Sequence, residues 1–285
     1  MPFSPELIGM SGPSLDADVD ARWTMAYAAS LGDTNPVYMD TAAGDVVAHP
    51  VFPICLEWPV NTADSDGPEH LKLTEAEKAA SVHYAHDLHI NRLIRAGERV
   101  TTQLKFIGLS KGNSGTVSVT RLETREATTG ELLATSFQKG MHLGVALDGE
   151  GEQCEAIPEL PALADLSQAE VTPVPISTGF SHIYSECAQL WNPIHTDRRI
   201  AHAVGLPDII VHGSGMLGLA VTDIINRYAD GEPSRVSRLG CRFAGMVIAP
   251  AQLKLRSQID GDVVSFCLVD SEDQLILKDG FVQFR

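Results

Sequence analysis

The segment Leu190-Trp191-Asn192-Pro193-Ile194-His195-Thr196-Asp197 lies between a polar, helix-like stretch and a Gly-rich apolar one. Its order, x-x-Asn-Pro-aliphatic-aromatic-x-Asp, occurs once more at Asp33-Thr34-Asn35-Pro36-Val37-Tyr38-Met39-Asp40, 157 residues earlier. Asn-Pro is a common turn former, so the pair alone carries little weight. Its surroundings repeat as well, and an internal repeat bears on the whole architecture. Each copy follows a helix-like segment (roughly 17–31 and 180–190) and precedes a second apolar stretch of helical length (about 52–62 and 213–227). Alternating or β-branched runs then follow at 80–90, 98–108, 114–124 and 132–143, and again at 235–246, 251–259, 262–269 and 273–284. Helical material followed by an antiparallel meander, used twice, predicts an α+β protein of two similar halves.

Residues 1–146 read as the first half and 173–285 as the second. Residues 147–172, rich in acid and proline, read as the linker. A further acidic stretch, Asp64-Ser65-Asp66-Gly67-Pro68-Glu69, reads as a solvated loop. With 285 residues, 44% of them hydrophobic and 20% charged, the composition is that of a globular protein with a substantial core. No window approaches 18 uninterrupted apolar residues, and MPFSPELIGM lacks the basic start and apolar run of a secretory signal. The expectation is a cytoplasmic protein with no membrane partner. A net charge of −16 argues against nucleic acid or anionic lipid as a partner, because both need a dense cationic surface. The five cysteines are odd in number, widely spaced and never in C-x-x-C form, which predicts reduced, mostly buried thiols.

The residues resemble the R-specific enoyl-CoA hydratases, also called MaoC-like or type 2 hydratases. That signature runs aromatic, spacer, small-Gly-Asp-x-Asn-Pro-aliphatic-His, then, after a helix, a proline, aliphatics and His-Gly. Tyr184, Asn192-Pro193-Ile194-His195, Ala201, Gly205 and Pro207-Asp208-Ile209-Ile210-Val211-His212-Gly213 fall on it. Phe243, Pro250 and Leu253 resemble the entry into the later strands, and Arg95-Ala96-Gly97-Glu98 the corresponding turn of the first half. The resemblance implies a double hot-dog fold: two halves, each an antiparallel meander around a long helix, with their sheets joined into one layer. It also implies a hydratase or dehydratase of 2-enoyl-CoA or 3-hydroxyacyl-CoA thioesters, with acyl-CoA as the small-molecule partner, no cofactor and no metal. Further pairing into a homo-oligomer is an expectation of the family.

One departure bears on function. The family's small-Gly-Asp is Ala188-Gln189-Leu190 here, so Leu190 holds the place of the acid. The first half keeps the acid, as Asp33, and has Tyr38 in the histidine position. Syn-hydration needs a base for water, a proton source for Cα and a donor to the thioester oxygen. Asn-Pro suits this task, because proline fixes φ and pushes the preceding residue towards extended geometry. The expected assignments are His195 as base, Asn192 as positioner and the Gly213 N–H as oxyanion donor at a helix start. Glu186 is the candidate substitute acid if helix continues to Leu190 and puts both on one face; the other reading, which the residues favour, is a solvated helix glutamate. Asp197 either orients His195 or caps a helix beginning at Arg198. Tyr184, His212, Arg198 and Arg199 are expected to contact substrate, with Arg235, Arg238 and Arg242 as further candidates for the CoA phosphates. Asp33 reads as a turn carboxylate. His83, His86 and His89 do not converge on a metal if the strand is regular, because 83 and 89 share one face and 86 takes the other. Two other readings stand beside the hydratase: a non-enzymatic acyl-thioester-binding or partner subunit, and a hot-dog thioesterase using Asp33 or Glu186.

Overall fold

Alternating burial along the strand-rich stretches folds both into one antiparallel sheet. The computed structural model describes residues 3–63 and 73–285; the acidic stretch 64–69 lies outside them. The first half comprises β1 (Ser11–Val19), α1 (Ala21–Ser30), α2 (Pro36–Met39), α3 (Pro53–Thr62), α4 (Glu75–Ala79), β2 (Ser81–Ile90), β3 (Glu98–Gly112), β4 (Gly115–Glu126), β5 (Leu132–Leu143) and the short β6 (Glu152–Gln153). The second comprises β7 (Glu170–Ile176), α5 (Phe180–Ala188), α6 (Arg198–Ala203), α7 (Gly213–Tyr228), β8 (Val236–Phe243), β9 (Ala251–Asp260), β10 (Val263–Val269) and β11 (Leu275–Phe284).

The strand order is β1-β3-β4-β5-β2-β8-β11-β10-β9-β7, with β6 beside β3. It is the same path read outward in both directions from the β2–β8 seam. The sequence reading misses both outermost strands. Residues 17–19 end β1, and the helix begins only at Ala21, after Asp20 caps it by accepting from the Trp23 N–H at 2.8 Å. β7 starts within the expected linker. Both carry proline, at Pro13 and at Pro173 and Pro175, which weakens a strand signal; edge strands tolerate proline because one side needs no ladder donor.

A second correction concerns the histidines. The pairing of β2 with β5 shifts register between His83 and Ala85, so the side chains of His83 and His86 meet instead of pointing apart. His86 Nδ1 lies 3.3 Å from His83 Nε2, while His89 Nε2 lies 3.4 Å from Asp87.

α7 buries Leu217, Ala220, Val221, Ile224 and Ile225 on one stripe, the spacing of a helix laid on a sheet. The core beneath is continuous across both halves, joining Phe52, Leu88 and Leu133 to Leu239, Leu255 and Phe266. At the seam, Arg238 grips Asp87 through two hydrogen bonds of 2.8 and 2.7 Å, with side chains only 12% and 10% exposed. Burial raises the proton affinity of Asp87, but bonds from Arg238 and His89 outweigh it and hold the carboxyl below its usual range. Arg238→Met leaves that nearly buried carboxylate with His89 as its remaining side-chain partner, so chemical denaturation should show a loss of about 3 kcal/mol. A loss under about 1 kcal/mol would show that the pair does not hold the seam.

Candidate active site

The two Asn-Pro loops share one backbone. α5 ends at Ala188, Gln189 turns left-handed (φ 55°), and the Leu190 N–H donates to the Ser185 carbonyl at 3.0 Å. In the first half Gly32 makes the same turn (φ 72°), and the Asp33 N–H donates to the Ala28 carbonyl at 3.0 Å. The Asn192 side chain accepts from the Ile194 N–H at 3.4 Å, and that of Asn35 from the Val37 N–H at 3.1 Å. The His195 N–H donates to the Asn192 carbonyl, and the Tyr38 N–H to that of Asn35. The Ile210 N–H then donates to the Ile194 carbonyl and the Val47 N–H to that of Val37, both at 3.2 Å. Those last bonds align His212, the residue before α7, with His49, in the turn that leads into α3.

Only the side chains differ. Leu190 is 4% exposed and packed in the core, where the first half has Asp33, also 4% exposed. One Asp33 oxygen accepts from the Asn35 N–H at 3.1 Å; the other is enclosed without a partner, and burial raises the carboxyl's pKa. The Tyr38 hydroxyl is likewise enclosed and unbonded. Burial first, and the Asp33 charge second, make its proton harder to remove. Tyr38 therefore offers no base near neutral pH where the second loop has His195. Asp33 borders an open hollow of about 520 Å³ that reaches Asn226 and Gly231.

In the second loop, His195 lies 2.7 Å through Nδ1 from the Ile210 carbonyl oxygen. A carbonyl only accepts, so Nδ1 carries the proton and Nε2 the lone pair. Burial pushes the ring down to about 4, so it is neutral at physiological pH. It stacks on His212, with centroids 3.6 Å apart and planes 25° off parallel. His212 Nε2 lies 2.7 Å from the Ser185 hydroxyl.

Several expected assignments change. Tyr184 is fully buried; its hydroxyl bonds Ser214 at 3.2 Å and meets the Tyr27 hydroxyl at 3.4 Å, so it belongs to the core between the halves and not to a ligand surface. Glu186 is exposed, and the left-handed Gln189 breaks the helix before Leu190, so the two do not share a helical face. Asp197 caps α6, accepting from the Arg199 and Ile200 N–H groups. Arg198 is exposed and paired with Asp208 at 2.8 Å, and Arg199 is exposed. Arg238 is consumed at the seam, Arg242 bonds Asp279 and the Tyr84 hydroxyl, and Arg235 lies over the Phe284 ring. Gly213 begins α7, with the Phe243 ring 2.8 Å from where a Cβ would stand. The residues missed are Ser185 and Tyr27; carrying the 157-residue offset back from Tyr184 would have found Tyr27.

Residues 168–277 match the MaoC like domain, and residues 6–136 match the FAS1-like, dehydratase domain region. A MaoC-like dehydratase from Phytophthora capsici superposes with a TM-score of 0.82 at 19% identity, covering 98% of this chain and 96% of that one. A Mycobacterium tuberculosis protein described as having a double hotdog fold superposes with a TM-score of 0.64 at 13% identity, covering 97% and 96%. Enoyl-CoA hydratase ChsH3 of Mycobacterium tuberculosis is 28% identical over 108 residues, 38% of this chain and 37% of that protein. The chain spans well under half the length of the curated relatives it matches. Residues 168–277 form a MaoC-like domain, and the chain has the double hot-dog fold. No described helix is long and apolar enough to cross a membrane.

Proposed function

We propose that this chain is a hydratase or dehydratase of 2-enoyl and 3-hydroxyacyl thioesters, with CoA as the carrier and His195 as the proton-transferring group. The observation that carries this reading is the His195 imidazole, held in one tautomer by the Ile210 carbonyl, with its basic nitrogen making no hydrogen bond among the described residues. With Leu190 apolar, one base handles both transfers. His195 Nε2 takes a proton from water as the oxygen adds to Cβ, and returns it to Cα on the same face; this is syn addition with no net change in the enzyme. The free N–H groups in the first turn of α7, Gly213 among them, support charge at the thioester oxygen.

Purified protein with crotonyl-CoA tests this: conjugated absorbance should fall with no thiol released. Thiol release would assign hydrolysis instead, and neither change would assign a binding subunit. The base must be neutral to act, so kcat/KM should hold steady from pH 8 to about 6 and fall as pH drops through about 4. A limb near 6.5 would show that burial does not depress His195.

A further inference from the structure

The internal repeat supplies a control for His212. Its counterpart His49 has both ring nitrogens engaged: Nδ1 accepts from the Val51 N–H at 3.1 Å, in the turn before α3, and Nε2 lies 3.2 Å from the Thr222 hydroxyl. Nδ1 accepts, so His49 carries its proton on Nε2. The His212 side chain makes no cap hydrogen bond at the start of α7. Its Nε2 meets Ser185, whose counterpart in the first half is Ala28, with no hydroxyl to offer.

Ser185 is 1% exposed, and among the described residues His212 Nε2 is the acceptor its hydroxyl reaches. Were Nε2 protonated, the Ser185 O–H would be buried with nowhere to donate, an arrangement that proteins avoid. Ser185 therefore donates, and His212 carries its proton on Nδ1. That nitrogen has no hydrogen-bond partner among the described residues, yet is not one of the sealed, unbonded polar atoms. The site thus presents a bare acceptor, His195 Nε2, and a free donor, His212 Nδ1–H, on two rings stacked 3.6 Å apart.

We propose that the His212 side chain, held as its Nδ1–H tautomer by Ser185, donates a hydrogen bond to the thioester carbonyl oxygen beside the His195 base. This rests on the thioester reading above. As the water oxygen bonds to Cβ and its proton passes to His195 Nε2, electrons from the C=C bond move through Cα onto the thioester oxygen. The His212 N–H stabilises that oxygen without transferring its own proton. The proton on His195 then moves to Cα, the carbonyl re-forms, and His212 is unchanged. His212 is 4% exposed, and a buried donor aimed at developing charge is stronger than one in water.

Two measurements test this without relying on turnover. Nitrogen-15 NMR should show His212 protonated on Nδ1 in the wild type, with the proton shifting towards Nε2 in Ser185→Ala; a wild-type Nε2–H would overturn the proposal. With butyryl-CoA, which is saturated and cannot be hydrated, the infrared carbonyl band should shift to lower frequency on binding. His212→Leu should lose that shift, and His212→Gln, which retains an N–H donor, should keep part of it. An equal band in wild type and His212→Leu, or no binding of butyryl-CoA, would overturn it. Should crotonyl-CoA not be hydrated while tautomer and carbonyl shift appear as stated, the hydratase reading fails and the donor stands. Where hydration occurs, His212→Leu should lower kcat about 10²- to 10³-fold with KM changed far less.

Discussion

His195→Ala is expected to reduce crotonyl-CoA hydration by about 10²- to 10⁴-fold, the usual scale of a positioned proton-transfer group. The larger figure is favoured here because Leu190 cannot take over and Glu186 is exposed on a helix that ends before the loop. The fold should survive. The substitution removes one hydrogen bond to the Ile210 carbonyl, on a partly buried ring, a cost of about 1 kcal/mol. His195→Gln separates shape from proton transfer: it keeps a polar side chain and should be as inactive. Steady-state rates and a melting curve on the same samples decide the matter, and activity within tenfold of wild type would remove His195 from the mechanism.

Leu190→Asp is expected to raise turnover, by about 10²-fold, by supplying the partner His195 lacks. The first half shows that this turn accepts a carboxylate: Asp33 occupies the equivalent place on the same backbone bonds and at the same burial. An acid there would also stabilise the imidazolium form of His195, so the acid limb of the rate profile should move upward from about 4. The cost is a carboxyl in an apolar setting, and the variant should lose stability on the order of 2–5 kcal/mol. Leu190→Asn, equally polar but unable to exchange a proton, should share the instability without the gain. A folded Leu190→Asp with unchanged turnover would mean that one base is sufficient, and that the leucine belongs to a site already adapted to it.

Much of this protein is legible along the chain. Central strands and helices announce themselves by period, and the repeat of Asn-Pro with its flanking segments predicts two like halves. The strands that escaped notice, β1 and β7, are the proline-bearing edges, where position in the sheet excuses a residue that local propensity counts against. The His83–His86 approach was missed because a register shift breaks the alternation on which face assignments rest. An aromatic in a signature carries no record of what lies above it, and the Tyr184 ring is covered by partners distant in sequence, among them Tyr27, 157 residues away, and His212.

By itself the sequence determined the repeat, the α+β class and the histidine on its proline turn, since all are matters of residue identity, spacing and period; the double hot-dog fold and the leucine in the place of an acid are what the family resemblance implies. Tertiary structure decided which groups are chemically available. Exposure set Glu186 aside, the seam claimed Arg238, and the Ile210 carbonyl chose the tautomer of His195 while Ser185 chose that of His212. A tautomer is set by the hydrogen-bond partner that folding brings to a ring, and such partners come from other elements of the fold.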